Sequence, residues 1–271
     1  MKKDFRHKVV VVVGAAGGIG RALSWQFAQA GARIVLVDLE ADKLAALQYQ
    51  VEKSGTDVLS FVCDITDFDR CQAVMQDITA QFGGVDVLIN NAGVSHRSCF
   101  ADTQMKVLRR VMEVNYFGAI HCTKAALDSL SARKGLVITL SSTLGLTPAP
   151  GLSGYSASKH ALHGLFESMR LELKAQGVDV LMACPGTTAT DFHKKALSGD
   201  GSDIKIPKAL PERMGLPQDV ASNIFDAARR GKRMVMMSHS RRGIRGWFAQ
   251  RIWPVLYESR GFRRWLNEIG S

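Results

Sequence analysis

This chain lacks long apolar runs, paired cysteines and, toward its C-terminal end, acidic residues. No stretch of about eighteen apolar residues occurs among its 271, so no transmembrane helix is expected. The five cysteines, Cys63, Cys71, Cys99, Cys122 and Cys184, are odd in number, widely spaced and never in a C-x-x-C pair. That argues against a disulfide scaffold and a metal site, and fits small buried hydrophobes in a reducing cytoplasm. Prolines number seven beside 25 glycines, which excludes a collagen-like or disordered composition. The basic opening, Met1 to Lys8, lacks the apolar length and small-residue cleavage site of a secretory signal. Acid is scarce only at the end. Residues 229–271 hold eleven Lys/Arg against Glu258 and Glu268, whereas the other 228 residues hold 24 bases and 23 acids. The charge imbalance therefore describes a tail rather than the body.

What is present is alternation. Short apolar runs at Val9–Val13, Ile34–Val37, Val58–Val62, Val85–Ile89, Leu136–Leu140, Val178–Ala183 and Arg233–Met237 read as strands. Amphipathic stretches near 19–30, 41–53, 67–82, 103–131, 155–176 and 217–230 lie between them. Seven strands separated by helices predict an α/β fold, a doubly wound parallel sheet with helices on both faces. Residues 1–240 form one domain in this reading, and 241–271 a basic tail. Segment 187–215 is irregular and reads as a binding loop or lid.

The first strand runs into Gly14, Gly17, Gly18, Ile19 and Gly20, followed by a helix pattern. Such a turn allows backbone to approach a pyrophosphate at a helix N-terminus. The second strand ends in Asp38, eighteen residues past Gly20. A carboxylate there accepts ribose hydroxyls and repels a 2′-phosphate, which favours NAD over NADP. Gly17 and Leu39 offer no compensating cation. The plainer reading of Asp38 is a helix cap.

Tyr155 and Lys159 are spaced i, i+4 at the start of a helical stretch, and so share one face. An ammonium near a phenol is expected to lower the phenol's pKa from about 10. Ser142 ends the fifth strand, where open α/β sheets bind ligands.

With these residues in place, the chain resembles the short-chain dehydrogenase/reductase family, in its short single-domain branch, with a Rossmann-type fold. The turn Gly14-x-x-x-Gly18-x-Gly20 carries the resemblance, as do Asn90-Asn91-Ala92-Gly93 and Asp64-Ile65. So do Asn115, Ser142, Tyr155 and Lys159, and the run Pro185-Gly186-Thr187-x-x-Thr190. The resemblance spans residues 8 to about 238. Val13 departs from it, since the family usually has Thr before the first glycine.

The resemblance implies hydride transfer between a nicotinamide and a carbon bearing oxygen. Tyr155 would be the general acid or base, and Lys159 would lower its pKa and hold the nicotinamide ribose. Ser142 would position the reacting oxygen, and the Asn115 backbone would anchor a relay water. Gly14, Gly17, Gly18, Ile19, Gly20, Asp38, Asp64, Ile65, Asn91, Ala92, Gly93, Tyr155, Lys159, Pro185, Gly186, Thr187 and Thr190 would line the cofactor. Homodimers or homotetramers are expected on the same ground. An NADPH-dependent ketone reductase and a non-catalytic, nucleotide-binding, membrane-associated protein are the alternatives. Asp38 opposes the first and the intact tetrad the second.

Ser95, His96, Leu144, Leu146, Pro148, Leu152 and the 187–215 segment are expected near the substrate. Their apolar majority leans toward a lipophilic alcohol or ketone. His96 reads as a solvated loop histidine, with a second polar contact to the substrate as the sharper alternative. In the tail, Ile244, Trp247, Phe248, Ile252, Val255 and Leu256 recur at helical spacing between arginines. Such a helix suits an anionic membrane surface, making the protein peripheral there, or packs on the body or a sister subunit. Nucleic acid explains the arginines but not the apolar face.

Overall fold

The computed structural model describes residues 2–204 and 214–237. The tail reading at 241–271, and residues 205–213 of the irregular segment, lie outside the described residues.

The strands are β1 (Val9–Val13), β2 (Arg33–Asp38), β3 (Val58–Val62), β4 (Val87–Asn90), β5 (Leu136–Leu140), β6 (Asp179–Pro185) and β7 (Met234–Met237). The helices are α1 (Gly18–Gln29), α2 (Ala41–Glu52), α3 (Phe68–Phe82), α4 (Met105–Met112), α5 (Gly118–Ala132), α6 (Ser153–Glu172) and α7 (Pro217–Arg229). All neighbouring strands pair in parallel, in the order β3-β2-β1-β4-β5-β6-β7. The order reverses between β1 and β4. Loops at the carboxyl ends diverge there and open a crevice.

β1 shows why the sheet must be covered twice. Its five valines are all buried, and their side chains alternate between faces. Val10 and Val12 pack in the layer with α1, α2 and α7, around Phe5, Phe27 and Phe225. Val9, Val11 and Val13 pack in the layer with α3, α5 and α6. Beneath the opposite end, the buried carboxylate of Asp86 accepts the Val9 N–H at 2.9 Å and pairs with Lys8 and Arg133.

Several boundaries differ from the sequence reading. The stretch at 103–131 is not one helix. A π-helical segment, Glu113–Phe117, interrupts it and carries Asn115. Such bulges recur at functional sites. The fourth strand begins at Val87 rather than Val85, although Val85 is buried. Ser142 stands two residues beyond the end of β5 rather than on it. No helix among the described residues is long and apolar enough to cross a membrane.

Candidate active site

The glycine turn is built by close backbone contact. Gly14 has φ +76°, and a Cβ there would lie 2.6 Å from the Ala92 Cα. Its N–H donates to the Val37 carbonyl, and its own carbonyl accepts from Asn91 Nδ2 at 2.7 Å. Asn91 thus ties the end of β4 to the turn. The residue before the turn, Val13, is buried, and its carbonyl accepts the Asn91 N–H. α1 starts with no side-chain cap and no acid in its first turn, which leaves its leading N–H groups to an anion. The methyl of Thr190 lies 2.5 Å from where a Gly18 Cβ would stand. The loop after β6 therefore returns across the turn. Thr187 and Ala189 hold it to Gly215, and the Gly186 N–H donates to the Met237 carbonyl.

Asp38 is not a helix cap. One carboxylate oxygen accepts the Ala16 N–H at 2.8 Å, and the other accepts those of Leu39 and Glu40. The end of β2 is thereby locked against the turn. Asp64 accepts from the Thr66 amide and hydroxyl, which hold its carboxyl below the ordinary range. Ile65 packs on Gly118, and its carbonyl receives His121 Nδ1 at 2.9 Å.

The tetrad residues come together above β5. Tyr155 and Lys159 are both buried on α6. The Ser142 hydroxyl stands near enough to the Tyr155 phenol to favour its ionised form. Lys159 Nζ donates to the Leu140 carbonyl at 2.8 Å and lies 5.7 Å from the centre of the Tyr155 ring. Asn115 Oδ1 accepts the Val94 N–H at 2.7 Å, and its Nδ2 donates to the Val94 carbonyl and to Ser158 Oγ. Asn115 thus joins three segments. A Cβ on Gly93 would stand 3.1 Å from Asn115 Oδ1, which accounts for the glycine.

The electrostatics correct the sequence reading. Lys159 was expected to lower the phenol. Burial instead pushes Tyr155 up to about 12, with the nearby Ser142 hydroxyl opposing it. Burial also brings Lys159 down to about 8. Loss of water penalises the charged form of each group, and the ammonium is turned to a carbonyl rather than to the phenol oxygen. In this state the site holds a neutral phenol.

His96 is the second correction. It is not solvated but wholly buried. Nε2 accepts the Gly154 N–H at 2.9 Å and Nδ1 meets Ser98 Oγ. Ser95 is also buried, while Leu144, Leu146 and Leu152 are half-buried and Pro148 is exposed. Two features had no signal in the sequence. Phe192 lies 5.9 Å from the Tyr155 ring, and Lys195 reaches across the crevice to the Glu40 carboxylate, which also pairs with Lys43. Both depend on how the 187–204 loop folds back.

A family model, "short chain dehydrogenase", matches residues 8–200. The chain belongs to the short-chain dehydrogenase/reductase family. It is an oxidoreductase of the hydride-transferring kind. Curated relatives of this short-chain dehydrogenase/reductase include dehydrogenase/reductase SDR family member 7B of Mus musculus. That protein is 37% identical over 88% of this chain and 75% of its own length. The Danio rerio protein of the same name is 34% identical over 94% of this chain and 85% of its own. Among solved structures, a short-chain dehydrogenase/reductase from Burkholderia phymatum in complex with NAD superposes with TM-score 0.75. It is 25% identical and the match covers 86% of this chain and 90% of that one. A short-chain dehydrogenase from Mycobacterium paratuberculosis bound to NAD gives 0.76 at 27% identity, covering 87% and 97%. Among the described residues, no cluster of three His, Cys, Asp or Glu side chains is placed to hold a metal.

Proposed function

We propose that this chain interconverts a lipophilic alcohol and its carbonyl compound with NAD(H). The observation that carries the reading is the buried phenol of Tyr155, with Ser142 near it and Lys159 one helical turn away. The residues present fit a dinucleotide. The uncapped start of α1 suits a pyrophosphate, and Asp38 stands where ribose hydroxyls are read. Bound there, the nicotinamide supplies the hydride chemistry.

The protein's own groups handle the proton. In reduction, Tyr155 Oη donates to the substrate oxygen as negative charge develops on it. Ser142 Oγ donates a second hydrogen bond to that oxygen and fixes its place. Phenolate is left behind, and the Lys159 ammonium stabilises it at short range in a water-poor site. In oxidation the same groups run in reverse. Leu144, Leu146 and Leu152 are half-buried and Phe192 lies against the Tyr155 ring; these apolar side chains support a lipophilic substrate.

One observation favours a second cofactor reading. Lys43 and Lys195 both meet at Glu40, two residues past Asp38. An NADP(H) 2′-phosphate would have to draw these cations from Glu40 and bear the Asp38 charge, so NAD(H) is the proposed cofactor.

A screen of steroid, fatty and aromatic alcohols and ketones with each cofactor tests the reading. Tyr155→Phe is expected to reduce turnover about 10²- to 10⁴-fold while NADH affinity stays nearly unchanged. Near-parental turnover by that variant on a good substrate refutes the mechanism.

A further inference from the structure

α6 begins in a way its own sequence does not provide for. The residue at its N-cap, Leu152, has no side-chain acceptor, and no side-chain cap is formed. The N–H groups of the first turn have no partner within a helix, and burial makes each costly to leave unpaired. Gly154 is buried in that turn, immediately before Tyr155. Its N–H is met from 58 residues away, by His96 Nε2 at 2.9 Å.

The hydrogen-bond chain behind the imidazole has one consistent direction. A backbone amide only donates, so Nε2 carries no proton. Nδ1 therefore does, and donates to Ser98 Oγ at 3.2 Å. Ser98 Oγ pairs with Thr103 Oγ1 at 2.7 Å, and Thr103 Oγ1 donates to the Cys99 carbonyl. Each hydroxyl thus receives one proton and passes its own forward. The neighbouring backbone is also fastened: Ser98 N–H donates to the Gly151 carbonyl. Arg97 N–H donates to Leu197, and Leu197 N–H to Ser95. His96 thus sits where the 187–204 loop and the start of α6 meet.

We propose that His96 is a positioning residue: as the neutral Nδ1–H tautomer it caps α6 at Gly154 and so sets the place of the Tyr155 phenol. The proposal rests on the acid–base role given to Tyr155 above. It extends that role to a residue that touches neither substrate nor cofactor. A proton on Nε2 would replace the acceptor with a donor facing Gly154 N–H and would set a cation at a helix N-terminus, where the dipole opposes it. Burial acts in the same direction and holds His96 below the ordinary imidazole range. The elements packed around this junction carry Arg97, Asp102, Lys106, Tyr155, His193 and Asp200. None contributes to the shift of His96, which burial alone causes. Tyr155, up near 12, remains neutral throughout the range in which an imidazole titrates.

The test follows the Tyr155 phenol directly. The full chain, with 13Cζ-labelled tyrosine and 15N-labelled histidine, is titrated by NMR from neutral pH downward. Tyr155→Phe and His96→Gln assign the two signals. The His96 nitrogens should report the Nδ1–H tautomer, and the Tyr155 13Cζ signal should move with the same midpoint as the His96 ring. In His96→Gln, whose amide oxygen accepts but does not titrate, that inflection should vanish while kcat at neutral pH is kept. His96→Phe, with no acceptor, should lower kcat about tenfold, with NADH affinity unchanged. An Nε2–H tautomer overturns the proposal, as does a Tyr155 signal that stays flat while His96 titrates. So does an inflection that persists in His96→Gln. The NMR readings need no substrate, so they stand apart from a failure of the proposed function, which appears as turnover surviving Tyr155→Phe.

Discussion

The nucleotide half and the catalytic half of this crevice are assembled by different means. Around the glycine turn, the contacts are mostly backbone and near in space to the ends of β1 and β2. Gly14 lies against Ala92, Asp38 receives the Ala16 amide, and Thr190 lies against Gly18. Around Tyr155 the contacts are buried side chains from distant segments. His96 reaches Gly154, Asn115 reaches Ser158, and Lys159 reaches the Leu140 carbonyl. A binding surface for a charged dinucleotide can stay polar and half-open. A phenol that must keep or release its proton needs a drier setting, and burial then shifts every ionisable neighbour toward neutrality.

The sharpest way to break this contrast is Lys159→Met. Activity should fall by two orders of magnitude or more, because the phenolate loses its cation. The fold should nevertheless gain stability, on the order of 1 kcal/mol, because a buried ammonium held down to about 8 is strained against its environment. Turnover assays and thermal melts near pH 7 check both arms. A variant that loses activity and stability together would show that the Leu140 hydrogen bond outweighs the burial cost.

Asp38→Ala probes the other half. It removes one repulsive charge and three backbone hydrogen bonds. The proposed preference for NAD(H) over NADP(H) is expected to narrow about tenfold, with kcat on a saturating substrate little changed. Fluorescence titration with both reduced cofactors measures it. A preference that stays fixed would show that the Asp38 charge does not set it.

The smallest effect is on stability against pH. His96, His163 and His193 are all lowered from 6.5, with burial the largest cause in each. Below 6.5 the unfolded chain binds protons that the folded chain still excludes. Stability linked to these residues is therefore fully present above that value and declines as pH falls through it toward the folded-state values. Denaturant midpoints at pH 7.5 and 5.5 should show a drop, and His96→Gln should reduce it. Equal drops in parent and variant would remove His96 from the effect.

Much of this was legible in one dimension. The spacing of β-branched runs and amphipathic stretches read as seven parallel strands with helices between, because strand and helix periods differ and each must bury its apolar face. The glycine turn was readable because only glycine fits Gly14's geometry, and Tyr155 with Lys159 because i, i+4 places them on one helix face. Local stereochemistry governs all of these. The break at Glu113–Phe117 was not readable, since π-helical winding leaves no distinct periodicity over five residues.

What the sequence by itself determined, then, was the order of elements, the glycine turn after β1 and the sharing of one helix face by Tyr155 and Lys159. Tertiary structure alone decided their protonation. It buried His96 against an amide 58 residues away, turned Lys159 toward a carbonyl, and lifted Tyr155 to about 12. It also brought Lys195 across the crevice to Glu40. Charge state depends on solvent access and on partners at a few ångströms. Neither is a property of neighbours in the chain, so both arise only when the sheet and its loops close around the site.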